Sequence, residues 1–336
     1  MKVAITCDQL VERRPVHRMI ELLCSMYPDA VIYTLAHQPG KVLGPIEMHS
    51  IRSSFLSNIV ESEDDLRQKS YLIPQAAKKL SIPCSTELII NISSGFSHGI
   101  SHCEKTAVFN YFFTNDYNLP SKTFLEKVFK SFVKNYAKKS REKKTHQVQS
   151  HEGLGYGIEV VRPFFNFEDY MFHENESTGN LAVINPGQFT LNELKKMSDI
   201  LQSRGLKVII LGDRLKIEGV EFLKNTCSGE LAPLFEMAKV VIEGNSLTFP
   251  DFALSSFASG RRVLVKDSLN IRSYLGMDLP IYFNSIDQLQ VLDFNGRKKV
   301  GTKQLRDHAA RYSQLLFKTG MMRQLKNMGF PYQSQH

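Results

Sequence analysis

Short apolar runs separated by amphipathic stretches dominate the first part of the chain. Val3, Ala4, Ile5 and Thr6 read as a buried strand ending at Cys7-Asp8, and Val16, Ile20, Leu23 and Cys24 mark one face of a helix. Pro15 suits the first turn of that helix, where its missing N–H costs nothing. AVIYTL (Ala30 to Leu35), LIINIS (Leu88 to Ser93) and AVFNYFF (Ala107 to Phe113) predict three further strands. After a polar stretch containing HENESTGN the alternation restarts. LAVIN, KVIILG, GVEFL, VVIEG and RVLV predict strands, with helices over Leu191 to Ser203, over Leu231 to Ala238 and up to Gly260. Near-continuous apolar strands alternating with helices predict parallel, doubly wound sheets.

The expected organisation is α/β: two doubly wound Rossmann-like domains facing across a cleft. The boundaries read as 1–166 for the first domain, 167–180 for a linker and 181–305 for the second domain. A C-terminal helix over 306–336 is expected to return to the first domain.

With 336 residues and 42% hydrophobic content, the chain can fill two cores. No apolar run reaches the length of a membrane span, and Asp8 interrupts the N-terminus before a signal-peptide core can form, which predicts a cytoplasmic protein. Cys7, Cys24, Cys84, Cys103 and Cys227 show no CxxC spacing, and their odd number favours reduced thiols.

The net charge is +8. Between Lys122 and Lys144 nine Lys/Arg face two Glu, while Phe124, Val128, Phe132 and Tyr136 recur every four residues. Such a helix packs its stripe on the core and solvates its basic face, or it lies on an anionic membrane, attracted by about 1 kcal/mol per basic residue. Nucleic acid is a weaker reading, because zinc-finger spacing, RNP-type aromatics and a basic low-complexity arm are all missing from the sequence.

Taken in order, several segments resemble glycosyltransferase family 4, retaining enzymes of the two-domain GT-B fold. They are MKVAITCDQLVERRPVHRMIELLCSMYPDAVIYTL, VVRPFFNFEDY, KVIILGD with GVEFLKNTCSGELAPLFEMAKVVI, LSSFASGRRVLV and LRDHAARYSQLLF. The resemblance implies a nucleotide-diphosphate sugar donor, an envelope glycan or lipid-linked acceptor, and no metal.

The positions that would carry this chemistry have changed. Pro15 and Val16 stand where the family has a glycine pair, so the backbone N–H approach there is lost. NPGQFTLNE (Asn185 to Glu193) has no basic residue where the family holds the diphosphate with an arginine and a lysine. Each missing charge-assisted bond is worth about 1.5–3 kcal/mol. Leu247 and Ser255 fall on the family's two glutamates in one register; in another, Glu243 and Asp251 take those places, although a first-turn Asp251 is equally explained by the helix dipole. Phe113 replaces a histidine, and the family's nearby arginine falls near Tyr117. The segment THQVQSHEGLGYGI is short by about a helix, which leaves the pocket reshaped or open there.

The candidate catalytic residues are therefore Glu243, Asp251 and His98. Gly212, Asp213, Arg214, Asn245, Ser246 and Ser255 are donor-side candidates, and Asp8 and Gln9 acceptor-side ones. Arg214, Lys216, Arg261 and Arg262 are possible replacement cations, with surface solvation the expected role of the last two. His98 and His102 lack a carboxylate cluster, so no metal pair is assigned. Two functions fit: a divergent glycosyltransferase, or a catalytically inactive relative that binds or scaffolds.

Overall fold

The structure, a computed structural model, describes residues 1–93, 95–113, 135–136, 145–154, 157–175, 179–213, 215–224, 227–244, 249–294 and 300–332. The basic stretch 122–144, apart from Asn135 and Tyr136, lies outside the described residues, as do Tyr117, Arg214, Asn245, Ser246 and Leu247.

Two compact units form. The first comprises Met1–Pro163 and Phe317–His336, the second Phe164–Leu316. The strands of the first unit are β1 (Val3–Leu10), β2 (Val31–His37), β3 (Ile51–Ser53), β4 (Leu88–Ser93), β5 (Ala107–Phe112) and β6 (His146–Gln149). They make one parallel sheet in the order β3-β2-β1-β4-β5-β6. Its helices include α1 (Val16–Met26), α2 (Glu63–Gln68) and α3 (Ile73–Lys79).

The second unit contains β7 (Leu181–Asn185), β8 (Lys207–Leu211), β9 (Val220–Leu223), β10 (Ala238–Glu243), β11 (Val263–Lys266) and β12 (Ile281–Phe283). Their order is β12-β11-β10-β7-β8-β9, again parallel throughout. Its helices include α4 (Leu191–Ser203), α5 (Ser228–Met237), α6 (Asp251–Ala258), α7 (Leu269–Leu275) and α8 (Thr302–Ala310); α9 (Gln314–Asn327) follows. The N-terminus of α4 carries a capping box, Thr190 with Glu193. Both sheets have the doubly wound order, whose direction reverses between β1 and β4 and between β7 and β10. Ligands of such sheets sit outside the carboxyl ends of the strands at that reversal.

Several expectations change. β1 runs to Leu10, so Asp8 and Gln9 lie inside the strand, with Gln9 paired to Ala36. The segment THQVQSHEGLGYGI, to which no strand was assigned, begins with the edge strand β6. Cys84 and Cys103 form a disulfide, with Cα atoms 5.2 Å apart, rather than remaining reduced. The parallel register explains the meeting. Leu88 pairs with Ala107 in β4 and β5, and extending that offset upstream sets Cys84 beside Cys103. Cys7, Cys24 and Cys227 are free.

Arg261 and Arg262 are not solvated surface cations. Arg261 is 7% exposed and donates to the carbonyls of Phe235, Asn175 and Glu236 at 2.9, 2.6 and 3.1 Å. Arg262 donates to the carbonyls of Leu279, Asp278 and Pro280. Among the described residues no helix is long and apolar enough to cross a membrane.

Candidate functional site

In the second unit, Glu243 and Asn185 are the last residues of β10 and β7, the two strands on either side of the reversal. Glu243 is 1% exposed, and its Oε1 accepts a hydrogen bond from Asn185 Nδ2 at 2.8 Å. Gly244 follows and donates its N–H to the Asn185 carbonyl, while its own carbonyl accepts from Gln188 N–H. A Cβ on Gly244 would stand 2.3 Å from the Pro186 carbonyl oxygen, so only glycine lets the two strand exits close together.

Asp251 opens α6, and Ser255 lies buried one turn further on. Gly212 and Asp213 leave β8 on the far side of β7. The Gly212 N–H bonds the Leu223 carbonyl, and exposed Asp213 pairs with Lys224 at 2.8 Å. These contacts hold the two residues toward β9 rather than toward Glu243.

A cation that the sequence pattern did not single out approaches the NPGQFTLNE loop. Lys266, at the carboxyl end of β11, places Nζ 3.4 Å from Glu193 Oε1 and 6.0 Å from the centre of the Phe189 ring. The Thr190 backbone N–H and, more weakly, Lys266 hold the Glu193 carboxyl below its ordinary pKa. The available signal was a single lysine closing the apolar run RVLVK.

In the first unit, Asp8 of β1 reaches across the reversal to the loop after β4. Its Oδ1 accepts from Ser97 N–H at 2.6 Å, Phe96 N–H at 3.2 Å and Ser93 Oγ at 3.2 Å. This brings His98 to the carboxyl edge of the sheet, 7% exposed, stacked on Tyr136 and edge-on to Phe112. His98 Nδ1 lies 3.4 Å from Ser93 Oγ. A buried polar row supports the loop from below. Thr6 and Ser97 both donate to Asn91 Oδ1, Asn91 donates to Asn110, and Asn110 donates to Thr145. The signal for it was one polar residue inside each apolar run, in VAIT, LIINIS and AVFNYF.

Gln9 builds the turn after β1, its Oε1 accepting from the Val11 N–H at 2.7 Å and the Glu12 N–H at 3.3 Å. Its buried Nε2 has no partner among the described residues. His17 braces the same turn through Gln9 O and Arg14 N–H. Desolvation pushes the His17 pKa down to about 3, so the ring is neutral. Phe113, at the position where the resemblance placed a histidine, is 2% exposed. Among the described residues no group of three or more His, Cys, Asp or Glu could hold a metal ion.

No protein-family model and no curated protein sequence matches the chain. Solved structures do match in fold. The Anabaena HepE protein, in complex with UDP and glucose, aligns over 97% of this chain and 100% of its own at 10% identity, with TM-score 0.65. A second HepE structure holds UDP-glucose, with TM-score 0.63. A glycosyltransferase from Rickettsia africae aligns over 97% and 98% at 11% identity, with TM-score 0.58. The fold is thus GT-B-like, the architecture of these glycosyltransferases.

Proposed function

We propose that this chain is a glycosyltransferase-like protein descended from the retaining family 4 branch. It takes a nucleotide-diphosphate sugar at the carboxyl edge of its second sheet. The observation that carries the reading is the Asn185–Glu243 pair closed by Gly244 at the sheet reversal. The UDP and UDP-glucose complexes of HepE, a protein of the same fold, support it.

In this reading Glu243 accepts from a hydroxyl of the donor, and Asp251, Asn245, Ser246 and Ser255 complete the donor side. Lys266 and Arg214 supply positive charge toward the diphosphate in place of the cations absent from NPGQFTLNE. Gly212 and Asp213, turned toward β9 by their bonds to Leu223 and Lys224, stand outside this donor set. Asp8 and Gln9 shape the acceptor side, with His98 as the group facing the acceptor. An envelope glycan or lipid-linked acceptor suits the basic 122–144 stretch, which would bring the protein to an anionic membrane face. No metal is invoked.

The second reading, a catalytically silent binding protein, is favoured by the three hydrogen bonds that already occupy Asp8 and by the loop without basic residues. The test is thermal stabilisation by UDP, GDP and their sugars, with Lys266→Ala and Arg214→Ala expected to diminish it. No shift with any nucleotide at millimolar concentration would remove donor binding from both readings. Slow release of UDP from a stabilising UDP-sugar separates the enzyme from the silent binder.

A further inference from the structure

Tyr136 ends the apolar series Phe124, Val128, Phe132, Tyr136 of the basic stretch. Its side chain packs against the buried cluster that includes Ile73, Ala77 and Ile100. The ring lies nearly parallel to the His98 imidazole, with centres 6.3 Å apart and planes 26° apart. The Tyr136 hydroxyl donates to the Phe96 carbonyl at 3.3 Å, which holds the phenol at the single 3-10 turn, Ser97–Gly99, that carries His98.

Gly99 makes room for this ring. A Cβ there would stand 1.8 Å from Tyr136 Oη and 2.6 Å from Cζ. The φ of Gly99 lies outside the left-handed region, unlike that of Gly95 at +134°. The backbone at 99 therefore admits alanine, and it is the phenol that excludes a side chain.

The imidazole needs this support. Its χ2 is a broad, two-fold torsion, so the turn alone does not set the ring plane. Ser93 Oγ, 3.4 Å from Nδ1, restrains the ring only weakly, and Phe112 meets it edge-on at 5.8 Å. Asp8 fixes the turn through the Phe96 and Ser97 N–H groups but leaves the side chain free to rotate. A stacked ring opposes that rotation, because turning the imidazole drives its edge into the phenol. We propose that Tyr136 is a positioning residue, which sets the plane of the His98 ring and acts on the acceptor only through it. The inference rests on the reading of His98 as the group facing the acceptor.

The experiment labels the histidines of the full chain with carbon-13 and measures the side-chain order of His98 by NMR relaxation, its signal assigned with His98→Gln. Amide exchange at Phe96 and Ser97 is followed in parallel. In Tyr136→Leu the order parameter of the ring is expected to fall from about 0.85 to below about 0.6, with exchange at the two amides near that of the parent. Gly99→Ala displaces the phenol without altering Tyr136 and should produce the same loss. Tyr136→Phe keeps the stacked face and should keep the ring ordered. Release of UDP from UDP-glucose is the functional arm. Tyr136→Leu should lower kcat about tenfold to a hundredfold at unchanged KM, and Tyr136→Phe should recover it to within about threefold. Tyr136→Phe and Gly99→Ala remain informative if Tyr136→Leu fails to fold. Three results overturn the proposal. They are a ring as ordered in Tyr136→Leu and Gly99→Ala as in the parent, ring disorder only together with fast exchange at Phe96 and Ser97, or an unchanged kcat in a variant whose ring is disordered. A parent that releases no UDP removes the enzymatic reading, and the ring measurement still decides whether Tyr136 orients His98.

Discussion

Gly244 sits against Pro186 so closely that any side chain on it would meet backbone, with 2.3 Å left between an added Cβ and the Pro186 carbonyl oxygen. The Asn185 carbonyl oxygen would stand at 2.6 Å. Gly244→Ala therefore has to push the β7 and β10 exits apart. A destabilisation of about 1–3 kcal/mol is expected in urea titration. Parent-like stability would show that the exits are free to separate.

Arg261 ties its own segment to two others, through the carbonyls of Phe235 and Glu236 in α5 and of Asn175. Arg261→Met keeps most of the apolar volume but strands those acceptors. The expected loss is about 2–5 kcal/mol, measured by chemical unfolding. Arg261→Lys should recover only part of it, because one ammonium cannot span the fork of the guanidinium. Full rescue by lysine would argue that charge alone matters there.

His17 is neutral when folded, because desolvation pushes its pKa from the ordinary 6.5 down to about 3. The unfolded chain binds a proton on this histidine between those two values, and the folded chain does not. Stability from this group is thus complete above pH 6.5 and drains away as pH falls toward 3. The integrated effect is on the order of a few kcal/mol. His17→Gln should flatten this part of the pH–stability curve; an unchanged slope would assign the acid sensitivity to other groups.

Asp8 holds the loop after β4 by accepting from Phe96, Ser97 and Ser93. Asp8→Ala should speed amide exchange at Phe96 and Ser97 and cost about 1–3 kcal/mol. Asp8→Asn retains an acceptor oxygen and should behave better. Equal exchange in parent and Asp8→Ala would mean that the polar row beneath suffices to fix the loop.

How far the chain could be read depends on what kind of information each element carries. LIINIS, AVFNYF, LAVIN and KVIIL are central strands buried on both faces, and their unbroken apolar character marks them locally. The span of α4 was legible for a similar reason, since it joins an amphipathic period to a capping box. The edge strands β3, β6 and β12 were not. IRS and HQVQ have almost no apolar character, and they are strands because β2 and β5 offer free edges to pair with. Arg261 next to Arg262 looked like a surface pair, because nothing local announces that three carbonyls will converge on one of them.

The candidate site divides along the same line. The alternation of strand and helix, the two halves, and the absence of a cation from Asn185 to Glu193 are all properties of neighbouring residues, and periodicity and composition carry them. Partnerships such as Asn185 with Glu243, Asp8 with Ser97, Lys266 with Glu193 and Cys84 with Cys103 come from strand order and register. A hydrogen bond or ion pair forms between groups within a few ångströms, whatever their distance along the chain. Apolar periodicity tells each strand that it will be buried, and the packed sheet settles which polar ends it will meet.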